Sequence, residues 1–281
     1  MVIYHGTFES IGFWSWYPDP VVTLGVLIAT FLYLKLDTTW RHRIDGSAPI
    51  ERRQKIMFGV ALGSIVVALL SPIGALADDY LLSVHMIQHV LLTIVAPPLL
   101  ILSVPAWAWA ALARRFPRAW SVWRFITKPI LAFLLFHIPY SVWHVPYLYD
   151  QILINEPAHI AAHQLFIATS FIAWWPVVAP GQAFGQMPPA IQMIYLFVST
   201  LPGQVVGAMI TMADDPLYHQ YTEAPRYWGL SVMADQQFGG LIMWVAMGVF
   251  YLGAMSYVFF RWASQEDREE RARFAGARVR T

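Results

Sequence analysis

Two pairs of histidines, His85 with His89 and His159 with His163, stand four residues apart within otherwise apolar stretches of sequence. Residues four apart share one face of a helix, with Cβ atoms roughly 6 Å apart, so both imidazoles of a pair can reach one ion. His144 ends another apolar stretch, and His137 lies seven residues earlier on the same helical face. Imidazole suits zinc, copper, iron and nickel, and one histidine from each pair would serve equally as the axial ligands of a haem. A hydrogen-bonded polar network that only joins helices is the reading without a metal. Neither pair encloses a glutamate, so the zinc-protease arrangement with its general base is absent. Adjacent His-His pairs of the membrane di-iron type are absent too. The chain has no cysteine, which excludes disulfides, thiolate metal sites and a cysteine nucleophile. Met86, Met209, Met212 and Met233 stand near the same level; thioethers favour Cu(I), although methionine is also a common gap-filler. Asp235-Gln236-Gln237 opens the last apolar stretch, either as partners that orient ligating imidazoles or as a helix cap.

The elements that must carry these side chains are membrane helices. With 58% hydrophobic and 12% charged residues among 281 and a mean hydropathy of +0.51, the composition departs from that of a soluble globular domain. The expected fold is all-α, a polytopic bundle of seven transmembrane helices over residues 20–36, 56–76, 81–104, 129–145, 157–178, 190–212 and 237–260. Residues 1–262 form this membrane domain and 263–281 a charged tail. The start of the chain lacks the basic segment and cleavage site of a signal peptide, so the first apolar stretch is expected to be retained. Asp19 is expected to cap it, with Pro20 in its first turn. Pro97-Pro98, Pro139 and Pro202-Gly203 interrupt spans three, four and six, and His137 is expected to bond a carbonyl that Pro139 frees. Residues 105–118 read as a short helix lying on the inner surface. Trp14, Trp16, Trp143, Tyr147 and Trp174-Trp175 read as interfacial anchors.

Charge supplies the orientation. Every lysine and arginine except Arg226 falls in one of three patches: Lys35 to Lys55, Arg114 to Lys128, and Arg261 to Arg280. Cytoplasmic loops retain basic residues, so the N-terminus is expected outside and the C-terminus in the cytoplasm. Loops 73–80, 146–156 and 213–236 then face outward, and segment 179–189 faces inward by parity. His85, His89, His144, His159 and His163 then all sit near the outer face, with the two pairs at matched depth in the first turns of spans three and five. Ionisable groups inside a bilayer are costly and tend to be functional, which favours ligation over a structural role. No basic patch is interleaved with aromatics in a polar domain, so nucleic acid is not an expected partner.

These features come together in a recognisable order. His85-Met86-Ile87-Gln88-His89 is followed by Ala96-Pro97-Pro98-Leu99-Leu100, then by Trp143-His144-Val145-Pro146. Next come His159 and His163, Trp174-Trp175-Pro176, and Asp235-Gln236-Gln237-Phe238-Gly239-Gly240. Over about residues 20–260 the sequence resembles the CtaG family of caa(3)-type cytochrome c oxidase assembly factors. Ser103 departs from the small, glycine-like residue expected after the Pro-Pro-Leu-Leu run. The resemblance implies a non-catalytic factor in a bacterial inner membrane, working with cytochrome c oxidase subunits and an external copper donor. It implies a ligand role for His85, His89, His159 and His163, with His144 and Asp235 nearby. Copper is the implied metal, with haem or zinc as the alternatives, and a metal-free scaffold remains a further reading.

Overall fold

The computed structural model describes residues 16, 18–226 and 228–278; His5 and Trp14 lie outside them. Those residues form an all-helical bundle, with no strand among them. Six helices are long and apolar enough to cross a membrane: Pro20–Arg43, Arg52–Leu70, Leu82–Ser103, Pro157–Val178, Pro189–Met212 and Val232–Arg273. Helices Pro117–Ile126 and Pro129–Trp143 meet at 69° and form either a seventh, broken span or a re-entrant loop. The chain is a multi-pass membrane protein with six to seven candidate spans; they are numbered one to seven in chain order, the bent pair taking number four.

The boundaries that differ from expectation have local causes. Span two begins earlier, at Arg52, because Glu51 and Gln54 form a reciprocal capping box. It stops at Leu70 because Ser71 caps a new helix, Pro72–Asp79, with Pro72 in the first turn where its missing N–H is harmless. Span four is not one straight helix over 129–145. Its second limb has 15 residues, about 22 Å at 1.5 Å per residue, which falls short of a ~30 Å hydrocarbon core. Residues 105–118 form one helix, Ala106–Arg115, and the start of the next, because Pro117 begins a new helix. The last helix continues unbroken past residue 262 to Arg278, so the charged tail extends span seven. Asp19 caps span one as expected, its Oδ1 accepting from the Val22 N–H at 2.8 Å.

The tryptophans divide in two. Trp16 and Tyr147 are exposed, whereas Trp174 and Trp175 are buried, Trp175 completely. Trp109, Trp120 and Trp123, from the two short helices, set their rings edge-on around Trp175 at 4.8, 5.9 and 5.1 Å. Trp174 and Trp175 are therefore core residues and not anchors at the interface.

Pro97 explains how span three meets span five. A proline cannot donate to the carbonyl four residues back, which here is Thr93. The helix widens into a π-helical stretch over Leu91–Val95 just before it, and the Thr93 carbonyl turns to span five. There it accepts hydrogen bonds from the Ser170 hydroxyl and, at 3.0 Å, from the Trp174 indole N–H. The Thr93 hydroxyl donates to the His89 carbonyl at 2.7 Å. Spans six and seven cross at two glycines: a Cβ on Gly240 would lie 2.7 Å from the Gly207 carbonyl oxygen, and one on Gly207 would lie 2.8 Å from that of Gly240.

Asp235, at the start of span seven, caps the start of span three. Its carboxylate accepts from the Leu82 and Ser83 backbone N–H groups at 2.8 and 3.0 Å and from the Ser83 hydroxyl at 2.5 Å. These are donors that a helix N-terminus leaves without partners, and negative charge is favourable there.

Two stability effects follow. Ser170→Ala combined with Trp174→Phe leaves the Thr93 carbonyl without its span-five donors and is expected to cost about 1–3 kcal/mol. That loss is read as a lower thermal midpoint of the detergent-solubilised protein; an unchanged midpoint would show that the carbonyl is satisfied in another way. Asp235→Ala strands three donors at one helix end and is expected to cost more than Asp235→Asn, which keeps one acceptor oxygen. Equal midpoints for the two variants would refute the capping role.

Candidate metal centre

The first turns of spans three and five face each other at the end of the bundle remote from the basic patches. The backbones are closely packed below residue 90, where span five meets the Leu91–Ser103 half of span three. Above that level imidazole rings occupy the space between the helices. His85 lies 5.6 Å from His159 and 5.8 Å from His163 by ring centroid, and His89 lies 5.5 Å from His163 and 6.0 Å from His144. All five histidines line one cavity of about 20 Å³, together with Trp143, Tyr149 and Phe166 among others.

Within this group His85, His159 and His163 each offer a ring nitrogen, and the three atoms lie within 4.8 Å of one another. Nitrogens ~2.0–2.1 Å from one metal lie at most about 4.2 Å apart, so a shared ion would draw the three rings together by a few tenths of an ångström. His89 approaches His85 more closely still, with Nε2 to Nε2 at 2.6 Å, so one ring holds the proton and the other accepts it. The His144 Nδ1 lies 2.6 Å from the Tyr140 carbonyl oxygen, which makes that nitrogen the protonated one and leaves Nε2 as a lone-pair donor. Nε2 of His144, Nε2 of His163 and Nδ1 of His89 are buried without a hydrogen-bond partner among the described residues. Buried nitrogens left in this way are costly, and a cation between the rings would take up their lone pairs. The residues present fit a metal.

The short helices that were expected as outward loops form a roof over the rings. In Pro72–Asp79, Asp78 places a carboxylate oxygen 3.9 Å from Nδ1 of His85 and 3.8 Å from Nε2 of His159. The Tyr221 hydroxyl, in His219–Glu223, meets Nδ1 of His85 at 3.2 Å, donates to the Ala77 carbonyl at 2.8 Å and meets the Tyr149 hydroxyl at 3.2 Å. Burial pushes the Tyr221 and Tyr149 phenols well above their usual range, so both remain protonated. The Tyr218 hydroxyl donates to the His144 carbonyl at 3.0 Å. Arg226, the one cation outside the basic patches, folds onto the Tyr221 and Ala224 carbonyls and pins this roof.

Of the six candidate residues in the sequence, the structure brings the five histidines together and places Asp235 apart, with both carboxylate oxygens engaged by span three. Asp235 acts one turn above His85 by holding the helix that presents it. Gln236 does comparable work for the loop before span seven: it accepts from the Leu217 N–H at 2.7 Å and donates to the Asp215 carbonyl at 3.2 Å. His137 does not take a carbonyl freed by Pro139; both of its ring nitrogens are buried without a hydrogen-bond partner among the described residues. Met209 and Met212 are exposed and stand away from the rings. Asp78, Tyr149 and Tyr221 are the site residues that sequence reasoning missed. For Asp78 the signal was an acidic pair shortly before His85, whereas nothing local marks either tyrosine.

Comparison with known proteins places the chain in a family. An uncharacterized protein of Mycobacterium leprae is 28% identical over 207 residues, covering 66% of this chain and 30% of that protein. Uncharacterized proteins of Mycobacterium bovis and Mycobacterium tuberculosis are each 27% identical over 211 residues, with the same coverage. The chain thus spans about 30% of the length of the curated relatives it matches. No solved structure matches it. The family described as cytochrome c oxidase caa3 assembly factor, Caa3_CtaG, matches residues 31–265. The chain belongs to that family of cytochrome c oxidase assembly factors.

Proposed function

We propose that this protein binds copper at the histidine cluster and hands it to a copper centre of the oxidase whose assembly it serves. The observation that carries the reading is the convergence of His85, His159 and His163 nitrogens within 4.8 Å, in a family tied to a haem-copper enzyme. His89 and His144 adjoin this set and either complete it or pass the ion along by exchange of one imidazole for another. Copper is cargo here and not a resident cofactor, so the protein has no catalytic cycle of its own.

The surroundings support transfer over storage. The rings sit near one end of the bundle, where His159 and Asp78 are partly exposed, so an external copper donor and an oxidase subunit would approach from that side. Asp78, 31% exposed at the rim, offers a carboxylate that attracts a cation and balances its charge. Tyr221 fixes His85 through a hydrogen bond, the kind of partner that orients metal-ligating imidazoles. With the basic patches in the cytoplasm, the cluster lies near the outer face of a bacterial inner membrane, where an external donor would arrive.

Haem fits less well. A cavity of about 20 Å³ between the rings accommodates an ion, whereas cofactor sites occupy ~300–1,000 Å³. Zinc suits imidazole equally, and the oxidase connection is what favours copper.

Replacing His85, His159 or His163 with Ala is expected to reduce copper affinity about 100-fold or more, above the 10–100-fold typical of outer partners. Tyr221→Phe is expected to fall within that smaller range. Cells carrying the histidine variants should accumulate copper-deficient oxidase while the variant protein stays folded in the membrane. Reporter fusions near residue 222 should read as exported, on the side of the cluster. Full oxidase activity in a strain whose only copy lacks all four paired histidines would reject copper delivery and leave a metal-free scaffold.

A further inference from the structure

We infer that a second site for a soft monovalent cation lies deeper in the bundle, formed by His137, Met243 and Met247. The inference goes beyond the histidine cluster and rests on the copper reading for the identity of the ion. His137 precedes His144 by seven residues, two turns of span four, which puts it about 10 Å further along the helix axis. The two histidines share a face, with Tyr140 between them; its ring lies 4.6 Å from that of His144. His137 is buried, and neither ring nitrogen has a hydrogen-bond partner among the described residues. It lines a cavity of about 10 Å³ together with Ser199, Thr200, Met243 and Met247. That is about the space of a single water or bare ion.

The chemistry of the lining narrows the occupant. Met243 and Met247 are both buried; the Met247 sulfur accepts a hydrogen bond from the Tyr140 hydroxyl at 3.6 Å, which occupies one of its two lone pairs and leaves the other for an ion. Thioether sulfur beside imidazole favours Cu(I) over zinc or magnesium. None of the lining residues is acidic, so a divalent ion would bring uncompensated charge into a low-dielectric interior. A single positive charge on neutral ligands is less costly. Met243 lies in the π-helical stretch Ile242–Ala246 and Met247 directly follows it; such stretches recur at functional sites. A structural water bridging His137 to the neighbouring hydroxyls is the competing occupant.

The test uses the full chain in detergent, loaded with Cu(I) under anaerobic reducing conditions and measured for copper content and by X-ray absorption. The wild type is expected to show sulfur as well as nitrogen scatterers around copper. Met243→Leu with Met247→Leu, a volume-conserving change that spares the fold, should abolish the sulfur contribution. It should lower bound copper by one equivalent and keep the nitrogen signal; His137→Ala should do the same. Copper held with nitrogen scatterers alone in the wild type would overturn the second site while leaving the histidine cluster in place. Sulfur scattering that survives the double methionine variant would also overturn it, because the sulfur would then come from other methionines. Sulfur-ligated copper with no separate imidazole component would reject the outer cluster and uphold the inner site. A chain that takes up no Cu(I) would reject both.

Discussion

The Thr93 carbonyl is the point on which the arrangement of this bundle depends. Pro97 removes its helical donor, and inside a bilayer no water replaces one. Ser170 and Trp174 of span five supply the missing hydrogen bonds, which fixes spans three and five at one level in depth and in rotation. Once that contact is set, His85 and His89, one to two turns above it, must face His159 and His163. The π-helical widening at Leu91–Val95 belongs to the same adjustment. The kink is thus what aims four imidazoles at a common space, and it is more than a packing irregularity.

Clustering five imidazoles in an apolar environment is unfavourable unless their nitrogens are used. The roof and span four supply part of what they need: Tyr221 binds one side of His85, the Tyr140 carbonyl orients His144, and Asp78 offers negative charge at the rim. Three buried nitrogens, on His89, His144 and His163, remain without hydrogen-bond partners. A network built only to join helices would pair such groups. His89, His144 and His163 line one small cavity, and the proposed cation would give these nitrogens the partner they lack.

What the sequence made legible was what local chemistry determines. Asp19 ahead of Pro20 marks the start of span one, and the four-residue spacing of the histidines sets each pair on one helical face. Their position in the first two turns of spans three and five places both pairs at about one depth. What was hidden depends on residues distant in the chain. Asp235 caps a helix that begins 153 residues earlier, so its own surroundings show only the start of span seven. Trp175 has the composition of an interfacial anchor and becomes core because Trp109, Trp120 and Trp123 fold over it. Tyr149 and Tyr221 lie in connections with no periodic signal, and they become part of the site only when the short outer helices close over the rings. The bent pair breaks at Lys128, whose backbone is extended ahead of Pro129, the first residue of a new helix.

The central claim is that the histidine cluster holds a copper ion and not a macrocycle. Its most direct test is elemental analysis together with a visible absorption spectrum on protein purified from the membrane without added metal. Copper bound to the protein, with no Soret absorption, is the predicted result. A Soret band with iron and no copper would contradict the account, and would mean that the bundle opens between spans three and five far more than the cavity of about 20 Å³ suggests.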